Sequence, residues 1–249
     1  MVERLENFVM AHCSICRTET TASFLQKDGY TYIRCPDCRF VFLDPMPSPE
    51  ALSRIYNEED TVVSASEYPK ARSRMRRAML KSLALWRYYV GRDALDIGCG
   101  GGFMVGAMQR LGARAAGIDI SQESIAFATA QFPKAGFFNE SFDSFLARGK
   151  RFGFLYSSEV IEHIGEVQDY MRFVAEVAAP GAYLYMTTPD MDHPTVPKDA
   201  VQWNMVSPPR HVQLFNEGAL RRLFSDHGFE ITKRFAKNAP TLQVLARKF

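Results

Sequence analysis

The chain has 249 residues, enough for one full-sized core with an appendage but short for two full-sized domains. Its 30 Lys and Arg residues nearly balance its 28 Asp and Glu residues, which argues against a polybasic protein that binds mainly by neutralising phosphates. Hydrophobic residues make up 47% and charged residues 23%, the mix of a globular chain, so disorder over most of the length is not expected.

No apolar run approaches the roughly 18–20 residues that cross a bilayer. The sequence begins MVERLENFVMAHC, which has early acidic residues and no long apolar core. We therefore expect no membrane span, no secretory signal and a cytoplasmic location. Because that compartment is reducing, the five cysteines are not expected to form stable disulfides.

Four of the five cysteines form two CxxC pairs, with 18 residues between the pairs. This spacing is typical of a zinc site in which a hairpin brings two tight knuckles together. The hairpin strands are expected at 31–34 and 40–43. Since four protein ligands leave no open position on the metal, the zinc is expected to be structural. The expected ligands are Cys13, Cys16, Cys35 and Cys38.

Two redox-active CxxC pairs or a chance arrangement are the other interpretations, and His12 can replace one ligand. The predicted zinc ribbon, residues 1–48, either stabilises a segment too short for its own core or also holds a substrate or nucleic acid. Residues 49–92 are expected to form a helical lid or linker after a cluster of prolines. Residues 93–249 form the third predicted unit.

From Asp93 onward, short strand-like runs alternate with helical stretches. This alternation predicts an α/β fold with a mostly parallel sheet covered on both faces by helices, and ligands beyond the carboxyl ends of its strands. The predicted strands are 94–97, 115–120, 136–139, 152–157, 182–188, 229–235 and 241–247. The predicted helices are 103–111, 122–132 with Ser121 as N-cap, 167–178 and 216–227.

A glycine-rich loop follows the first of these strands in the segment ALDIGCGGGF. Asp96 ends the strand, and Gly98, Gly100 and Gly102 let the chain turn sharply and let a ligand approach the backbone. The second strand ends in GIDIS, where Asp119 is placed to accept hydrogen bonds from ribose hydroxyls. Together these features predict a site for a nucleoside cofactor. The other interpretation is a tight turn with a capping Asp.

The motifs LDIGCGGG, GIDIS, SSEVIEHI and APGAYLYMTTP resemble, in order and spacing, those of the class I S-adenosylmethionine-dependent methyltransferases. The resemblance covers residues 93–249. It implies a Rossmann-like, seven-stranded sheet with a reversed final hairpin, preceded here by the small zinc ribbon. The DxGxGxG pattern and the EHI segment differ from the GxGxxG pattern of nicotinamide dehydrogenases.

The resemblance also implies which residues surround S-adenosylmethionine. The glycine-rich loop is expected around its methionine part, Asp119 on the ribose diol, Ile120 against adenine and Glu159 near the sulfonium. The adenine edge is expected to meet residues 139–142, where the family commonly has an Asp. The implied cofactor-binding residues are Asp96, Gly98, Gly100, Asp119, Ile120, Glu140, Ser141, Phe142 and Glu159.

Methyl transfer from a sulfonium is an in-line displacement on an activated donor, so the protein mainly aligns the reacting atoms. A hydroxyl acceptor usually also needs a base, and histidine suits that role near neutral pH. The catalytic candidates are His163 and His211, on loops expected beyond the carboxyl ends of two strands; the other interpretation is a structural hydrogen bond. Trp203, in the long segment 189–210, is expected to stack on the acceptor or to lie in the core.

Residues 70–92 contain eight basic and no acidic residues and have helical periodicity. The family resemblance implies that a helix just before the first strand packs on the sheet. An apolar stripe fits that role: Met75, Met79, Leu83, Trp86 and Val90. The opposite, basic face contains Lys70, Arg74, Arg77 and Lys81. That face is interpreted as a solvated surface, as a recognition site for an acidic acceptor such as a nucleotide-linked sugar or phosphate-bearing lipid carrier, or as an RNA contact.

The sequence therefore predicts a methyltransferase for a small-molecule or sugar- or glycan-derived acceptor, with transfer to oxygen favoured over nitrogen and carbon. Its core resembles that of the ubiquinone-type O-methyltransferases. An RNA methyltransferase that binds RNA through the zinc ribbon is the enzymatic alternative. A cofactor-binding protein without turnover is the alternative outside enzymology.

Overall fold

The computed structural model describes residues 11–20, 23–59, 67–235 and 238–249. The prediction that the N-terminal segment is not a secretory signal concerns residues 1–13. Residues 1–10 of that segment lie outside the described residues. The predicted ribbon and lid also extend partly beyond them. Within the described ranges, no helix combines the length and apolarity needed to cross a membrane.

The first described residues form a small all-β unit. Its strands are β1 (Ala11–His12), β2 (Glu19–Thr20), β3 (Ser23–Lys27), β4 (Tyr30–Arg34) and β5 (Val41–Leu43). Antiparallel pairs join β1 to β2, β3 to β4 and β4 to β5. The hairpin predicted at 31–34 and 40–43 is confirmed, with Tyr32 opposite Leu43.

Two helices follow, α1 (Pro49–Glu59) and α2 (Ala71–Tyr89). The helix predicted within residues 70–92 is confirmed as α2, but the prediction of its buried face is wrong. The predicted apolar stripe ends in three exposed residues, and the buried side chains of α2 form a different stripe. The exposed residues are Leu83, Trp86 and Val90, at 63%, 45% and 39%. The buried residues are Ser82, Leu85 and Tyr89.

Paired polar atoms explain why this side of α2 is buried. The Ser82 and Tyr89 hydroxyls lie 2.5 Å apart, and the Tyr89 hydroxyl donates to the Ser82 carbonyl at 3.0 Å. Both side chains are therefore buried without losing their hydrogen bonds. Lys81, predicted on the basic outer face, instead directs its ammonium to the hydroxyl of Tyr185 at 2.7 Å. The pattern of hydrophobic residues along α2 does not reveal hydrogen bonds of this kind, so it could not predict the buried face.

The remaining described residues form an α/β unit. Its strands are β6 (Asp93–Ile97), β7 (Arg114–Ile118), β8 (Gly136–Phe138), β9 (Phe152–Ser158), β10 (Ala178–Pro189), β11 (Gln213–Leu214), β12 (Phe229–Arg234) and β13 (Thr241–Lys248). Its α-helices are α3 (Phe103–Arg110), α4 (Gln122–Gln131), α5 (Phe142–Leu146), α6 (Val167–Val177) and α7 (Glu217–Asp226).

A seven-stranded sheet lies at the centre of this unit, in the order β12–β13–β10–β9–β6–β7–β8. Strands β8, β7, β6, β9 and β10 are parallel, whereas β13 runs antiparallel to β10 and β12. The predicted Rossmann-like sheet with a reversed final hairpin is confirmed. Ser121 caps α4 as expected, because its hydroxyl accepts from the Ser124 N–H at 3.1 Å. The short α5 was not predicted, since five residues are too few to show a helical period.

Hydrophobic clusters cover both faces of the sheet. On one face, α6 and α7 pack against β9 and β10, and the all-β unit contributes Phe40 and Phe42 to the same cluster. On the other face, α2 and α3 pack through residues such as Leu85 and Met108. A third cluster joins Tyr32 and Leu43 of the all-β unit to Trp203. Trp203 is therefore a core residue.

Strand β11 joins the two units through backbone hydrogen bonds. It extends the sheet of the all-β unit to the order β11–β5–β4–β3, with Gln213 opposite Phe42 and Leu214 opposite Val41. The segment just before β11 contains His211. The all-β unit therefore shares a sheet, as well as a core, with the part of the chain that carries a predicted catalytic residue.

Replacing Leu85 by Ala is expected to lower the free energy of unfolding by about 2–5 kcal/mol, because the change leaves a cavity between α2 and the sheet. The same change at the exposed Leu83, two residues earlier, is expected to alter it by less than about 0.5 kcal/mol. Urea denaturation followed by circular dichroism measures both. If the two substitutions lowered the free energy of unfolding equally, the assignment of Leu85 to the buried face of α2 and of Leu83 to its exposed face would be wrong.

Candidate active site

The glycine-rich loop turns over the carboxyl end of β6 and is tied to the neighbouring strand. The N–H groups of Gly98 and Cys99 donate to the carbonyl of Ile118 at 2.9 and 3.1 Å. Gly98 has a φ of 71°, and a Cβ at this position would overlap the side chain of Val160. Glycine is therefore required here both for the backbone conformation and for the space.

Asp119 follows β7 and holds the same loop. Its Oδ2 accepts from the N–H of Gly100 at 2.7 Å, and its Oδ1 accepts from the N–H of Ser121 at 2.9 Å. Both carboxylate oxygens are thus held by backbone N–H groups at the carboxyl end of β7. The neighbouring Ile120 is 52% exposed and offers an apolar surface. Both positions fit the ribose and adenine contacts expected from the sequence, which stay predictions.

Asp96 is buried beneath this loop. Burial raises its pKa well above the usual range for an aspartate, and the nearby charge of Asp119 raises it further. Burial also raises the pKa of the Cys99 thiol, which makes Cys99 a poor nucleophile at neutral pH. A carboxyl group whose charge is opposed in this way is typical of functional sites.

Asn139 stabilises the loop that carries Asp119 and Ile120. Its side-chain amide donates to the carbonyls of these two residues at 3.0 and 2.8 Å. Asn139 thereby joins the end of β8 to the segment expected to hold the ribose and adenine. It occupies the first position of the segment predicted at the adenine edge.

The next three residues of that segment have structural partners. Glu140 accepts from the Arg148 Nε at 3.0 Å. The Ser141 hydroxyl caps α5, and the ring of Phe142 stacks on that of Phe173 with centroids 4.3 Å apart. The contacts of these three residues with adenine stay predictions.

Tyr68, in the segment before α2, covers the glycine-rich loop. Its ring packs against those of Phe103 and Phe127, with centroids 5.3 and 5.1 Å apart. A Cβ at Gly101 would lie 2.8 Å from the same ring. This region was expected to form a lid or linker. The role of Tyr68 was not predicted, because no sequence motif marks a single aromatic residue in a linker.

Glu159 follows directly after β9 in a strained backbone conformation. Its φ of 57° is left-handed, which costs a residue with a side chain roughly 1–2 kcal/mol. Its Oε1 accepts from the Thr187 hydroxyl at 2.7 Å, and its N–H donates to the Thr187 carbonyl at 2.9 Å. The carboxylate is thus fixed at the carboxyl edge of the sheet. Strain of this kind is concentrated at functional sites.

Glu162, three residues later, is completely buried. Its Oε2 accepts from the Thr188 hydroxyl at 2.9 Å, whereas its Oε1 has no hydrogen-bond partner among the residues that the structure describes. Burial raises the pKa of Glu162 well above its usual value, and the charge of Glu159 raises it further. Glu162 was not predicted to be a site residue, because the burial of its side chain depends on residues far along the chain.

The two predicted catalytic histidines lie together beside Glu162. The rings of His163 and His211 have centroids 4.7 Å apart. The Nδ1 of His163 lies 2.9 Å from the Arg210 carbonyl, and that of His211 lies 2.7 Å from the Met205 carbonyl. Because a carbonyl only accepts, these hydrogen bonds assign the proton to Nδ1 and the lone pair to Nε2. Burial lowers the pKa of His163 to about 4 and also lowers that of His211, so both are neutral at pH 7.

The four cysteines of the all-β unit form a second cluster. Their sulfurs lie within 4.8 Å of one another, with 3.5 Å between Cys13 and Cys38 and 3.2 Å between Cys16 and Cys35. Tetrahedral zinc with ligands at about 2.3 Å holds sulfurs about 3.8 Å apart, so the cluster is able to bind zinc. A hydrogen bond from Cys38 lowers the pKa of Cys13 to about 5. His12 instead faces Glu19, at 3.8 Å.

The ribbon unit directly supports the segment that carries His211. The Tyr32 hydroxyl donates to the His211 carbonyl at 2.5 Å. The Val212 N–H donates to the Glu162 carbonyl, and the Val212 carbonyl accepts from the Leu43 N–H, each at 2.9 Å. These bonds hold Glu162 and His211 in register with β5.

Comparison with known proteins assigns the family. A family model described as a methyltransferase domain matches residues 70–234, more than half of the chain. The chain belongs to this family. The ubiquinone biosynthesis O-methyltransferase of Methylobacterium sp. (strain 4-46) is 32% identical over 102 residues, which are 39% of this chain and 41% of that protein. The chain thus spans about two fifths of the length of the curated relatives it matches.

Two solved structures share the fold of this methyltransferase domain. Magnesium protoporphyrin IX methyltransferase (ChlM) from Synechocystis PCC 6803, with bound SAH, has a TM-score of 0.56 and 15% identity, covering 74% of this chain and 90% of its own. The 1,6-didemethyltoxoflavin-N1-methyltransferase of Burkholderia thailandensis has a TM-score of 0.58 and 16% identity, covering 91% and 98%. At these identities the likeness shows the fold alone.

A group of polar and aromatic side chains lies on the α2 side of the methyltransferase domain's sheet. Tyr156 and Tyr185 stack with centroids 5.3 Å apart. The Lys81 ammonium donates to the Tyr185 hydroxyl, which in turn donates to the Gln243 Oε1 at 3.1 Å. Burial raises the pKa of Tyr185, and the charges of Tyr156 and Glu159 raise it further. This group of side chains could not be predicted from the sequence, because its members come from distant segments of the chain.

Replacing Asp96 by Asn is expected to raise the free energy of unfolding at pH 8. The raised pKa of Asp96 means that its ionisation opposes folding, so this group removes stability as the pH rises above the usual pKa of an aspartate. The gain should shrink toward pH 4, where the carboxyl is protonated in both states. Urea denaturation across this pH range measures the difference.

Asp93→Asn is the matched control, because Asp93 begins the same strand but forms an exposed pair with Arg114. That change is expected to alter the free energy of unfolding by less than about 1 kcal/mol at either pH. Destabilisation by Asp96→Asn at pH 8 would contradict the electrostatic description of the site.

Proposed function

We propose that this chain is an S-adenosylmethionine-dependent methyltransferase that transfers the methyl group to an oxygen of a small-molecule or sugar-derived acceptor. The observation that carries the proposal is the meeting, at one edge of the sheet, of two sets of residues. One set is the glycine-rich loop anchored by Asp119. The other is Glu159 with the two neutral histidines His163 and His211. The first set suits a nucleoside donor and the second an acceptor hydroxyl.

The donor is held by groups that complement its parts. Gly98 and Gly100 leave room for the methionine portion to approach the backbone, and the Asp119 carboxylate receives the ribose hydroxyls. The Glu159 carboxylate lies close to the sulfonium, whose positive charge it stabilises. Tyr68 covers the loop and limits access of water to the bound donor.

The reaction exchanges one bond for another. The acceptor oxygen attacks the methyl carbon in line with the carbon–sulfur bond, which breaks, and its electron pair stays on sulfur to give S-adenosylhomocysteine. The hydroxyl proton leaves to a base. His163 and His211 present Nε2 lone pairs whose direction is fixed by the hydrogen bonds at Nδ1, so they are suited to activate the hydroxyl.

Two features support a small acceptor. Relatives that match part of this chain include O-methyltransferases of ubiquinone biosynthesis. The Lys81, Tyr185 and Gln243 side chains form a polar group on the α2 side of the sheet, and its positive charge and hydrogen bonds suit an acidic or hydroxylated molecule. The four cysteines, kept as thiols for zinc, fit a reducing cytoplasm. The ribbon acts in this proposal as a structural support.

A transfer assay with methyl-labelled S-adenosylmethionine tests the acceptor class. The purified chain is incubated with a cell extract of its source, which is then divided into RNA, lipid-glycan and small-metabolite pools. Label in the metabolite or glycan pool supports the proposal. Label in RNA replaces it with RNA methylation guided by the ribbon and the basic side of α2. Cofactor binding without label in any pool replaces it with a binding protein.

Replacing Asp119 by Ala is expected to weaken binding of S-adenosylhomocysteine by at least about 10-fold, because charge-assisted hydrogen bonds to the ribose and to the loop are lost. Isothermal titration calorimetry measures the affinity. The zinc content should not change, since the cysteine cluster shares no contact with Asp119. Asp93→Asn, at the opposite end of β6, serves as the control and should bind normally. Unchanged affinity of Asp119→Ala would refute the ribose assignment.

Replacing Tyr32 by Phe is expected to lower kcat several-fold, because the hydrogen bond that fixes the His211 backbone is lost. The KM for S-adenosylmethionine and the zinc content should stay at the values of the unmodified chain. Steady-state kinetics and metal analysis give these quantities. Tyr30→Phe, two residues earlier in β4, is the control and should keep its kcat. If Tyr32→Phe had the same kcat as the control, the proposal that the ribbon supports His211 would be wrong.

A further inference from the structure

We propose that the outward face of α2 binds to the surface of an anionic lipid membrane. The helix lies along that surface and does not cross it. The inference concerns this face alone and does not depend on the acceptor of the proposed methyl transfer. The outward face consists of exposed apolar side chains and exposed arginines: Leu80, Leu83, Trp86, Val90, Arg72, Arg76 and Arg87.

Exposed apolar side chains are concentrated on this helix. Among the residues that the structure describes, six large apolar side chains are exposed, and four of the six belong to the outward face of α2. Leu80 and Leu83 are 65% and 63% exposed. The indole N–H of Trp86 donates to the Leu111 carbonyl at 3.1 Å, so the exposed part of this ring is apolar. A group of exposed apolar side chains marks an interaction surface, whereas single ones are ordinary.

The helical period places the four apolar side chains side by side. At about 100° per residue they fall within roughly one third of the circumference of the helix. From Leu80 to Val90 they extend for about 15 Å along its axis. The Val90 N–H donates to the Trp86 carbonyl at 2.9 Å, so Val90 continues the last turn. The opposite side of the helix is fixed on the sheet by the buried Leu85 and Tyr89, which leaves the outward face turned away from the core.

The charge of this face suits an anionic surface. Residues 70–92 include eight basic residues and no acidic residue. Three of the basic residues, Arg72, Arg76 and Arg87, fall in the same third of the circumference as the apolar group and are exposed. Arginine stems can lie along apolar surface while the guanidinium group reaches the level of the lipid headgroups. Leucine and tryptophan then enter the boundary of the acyl chains, as in other helices that lie in the membrane interface.

The mixture of residues favours a membrane over three other occupants. A second copy of this chain would bring arginines of the two copies together, and like charges repel. Protein interfaces typically have an apolar centre and a polar rim, whereas here the arginines lie within the apolar face. RNA binds basic side chains through its phosphates, which leaves the leucines without a role. A bilayer with anionic lipids satisfies both kinds of side chain.

Tryptophan fluorescence in the presence of lipid vesicles tests the face. The full chain has two tryptophans, Trp86 on this face and Trp203 in the core. Vesicles of phosphatidylcholine and phosphatidylglycerol should shift the emission to shorter wavelength and reduce quenching by acrylamide, because the Trp86 ring enters the interface. In Trp86→Phe the same vesicles should leave the emission of Trp203 unchanged.

Sedimentation with the same vesicles measures the partition coefficient. Leu83→Ser should lower it by at least about 5-fold, because one leucine no longer leaves water. Arg76→Gln should lower it by about 5-fold, because one attraction to the anionic headgroups is lost. Phe249→Ser and Arg222→Gln are the matched controls, since they change exposed residues of the same kinds outside α2. Both controls should partition as the unmodified chain does, and all four variants should keep its circular dichroism.

The lipid composition and the salt concentration complete the test. Vesicles of phosphatidylcholine alone should bind the chain more weakly, and added salt should weaken binding to the anionic vesicles. Failure to bind anionic vesicles would overturn the proposal, as would equal partition of Leu83→Ser and Phe249→Ser.

Two further outcomes would assign the face to another occupant. A dimer in solution that Leu83→Ser converts to a monomer, without binding to vesicles, would assign the face to a second copy. RNA binding that Arg76→Gln weakens and Leu83→Ser does not, again without binding to vesicles, would assign it to RNA. Light scattering after size-exclusion chromatography and fluorescence anisotropy with a labelled RNA measure these two outcomes.

Discussion

The backbone hydrogen bonds around Val212 hold the zinc-ribbon unit and the edge of the sheet in one register. Val212 donates to the Glu162 carbonyl and accepts from the Leu43 N–H, and the two-residue β11 that follows completes the pairing with β5. Two residues of strand are not stable alone, so β11 depends on the ribbon sheet for its conformation. Because His211 directly precedes Val212, the unit that contains the four cysteines contributes to the geometry of the site through this pairing.

The central sheet could be predicted because its strands are buried on both faces and read as short apolar runs between helices. The positions of Asp96, Gly98 and Asp119 could be predicted equally well, because each position depends on neighbours in sequence: a strand end, a sharp turn and the next strand end. The face of α2 could not be predicted. Its burial follows from the Ser82–Tyr89 pair and from Lys81 meeting Tyr185 across 104 residues, and neither contact affects the local pattern of hydrophobicity.

The same division applies within the candidate site. The sequence predicted that His163 and His211 lie on loops after strands, but it did not predict their contact with each other. That contact depends on the segment before β11, which the all-β unit supports. Glu162 lies between Glu159 and His163, which were both predicted to be site residues. Glu162 itself was not predicted, because the motif alone does not show which of its side chains is buried. Its environment is built by Thr188 and by the Val212 segment, which are distant along the chain. Tertiary contacts rather than motifs thus decide which members of EVIEHI face the chemistry.

The charges at this edge match the change in charge that the proposed methyl transfer brings about. S-adenosylmethionine arrives with a positive sulfonium and leaves as a neutral thioether, so a strongly negative site would hold the donor well but oppose its reaction. The raised pKa values of Asp96 and Glu162 favour their neutral forms and thereby limit the negative potential. Glu159 provides a carboxylate at the edge itself, held by Thr187. Binding energy can then be directed to alignment of donor and acceptor, which is where the catalysis of an activated methyl donor lies.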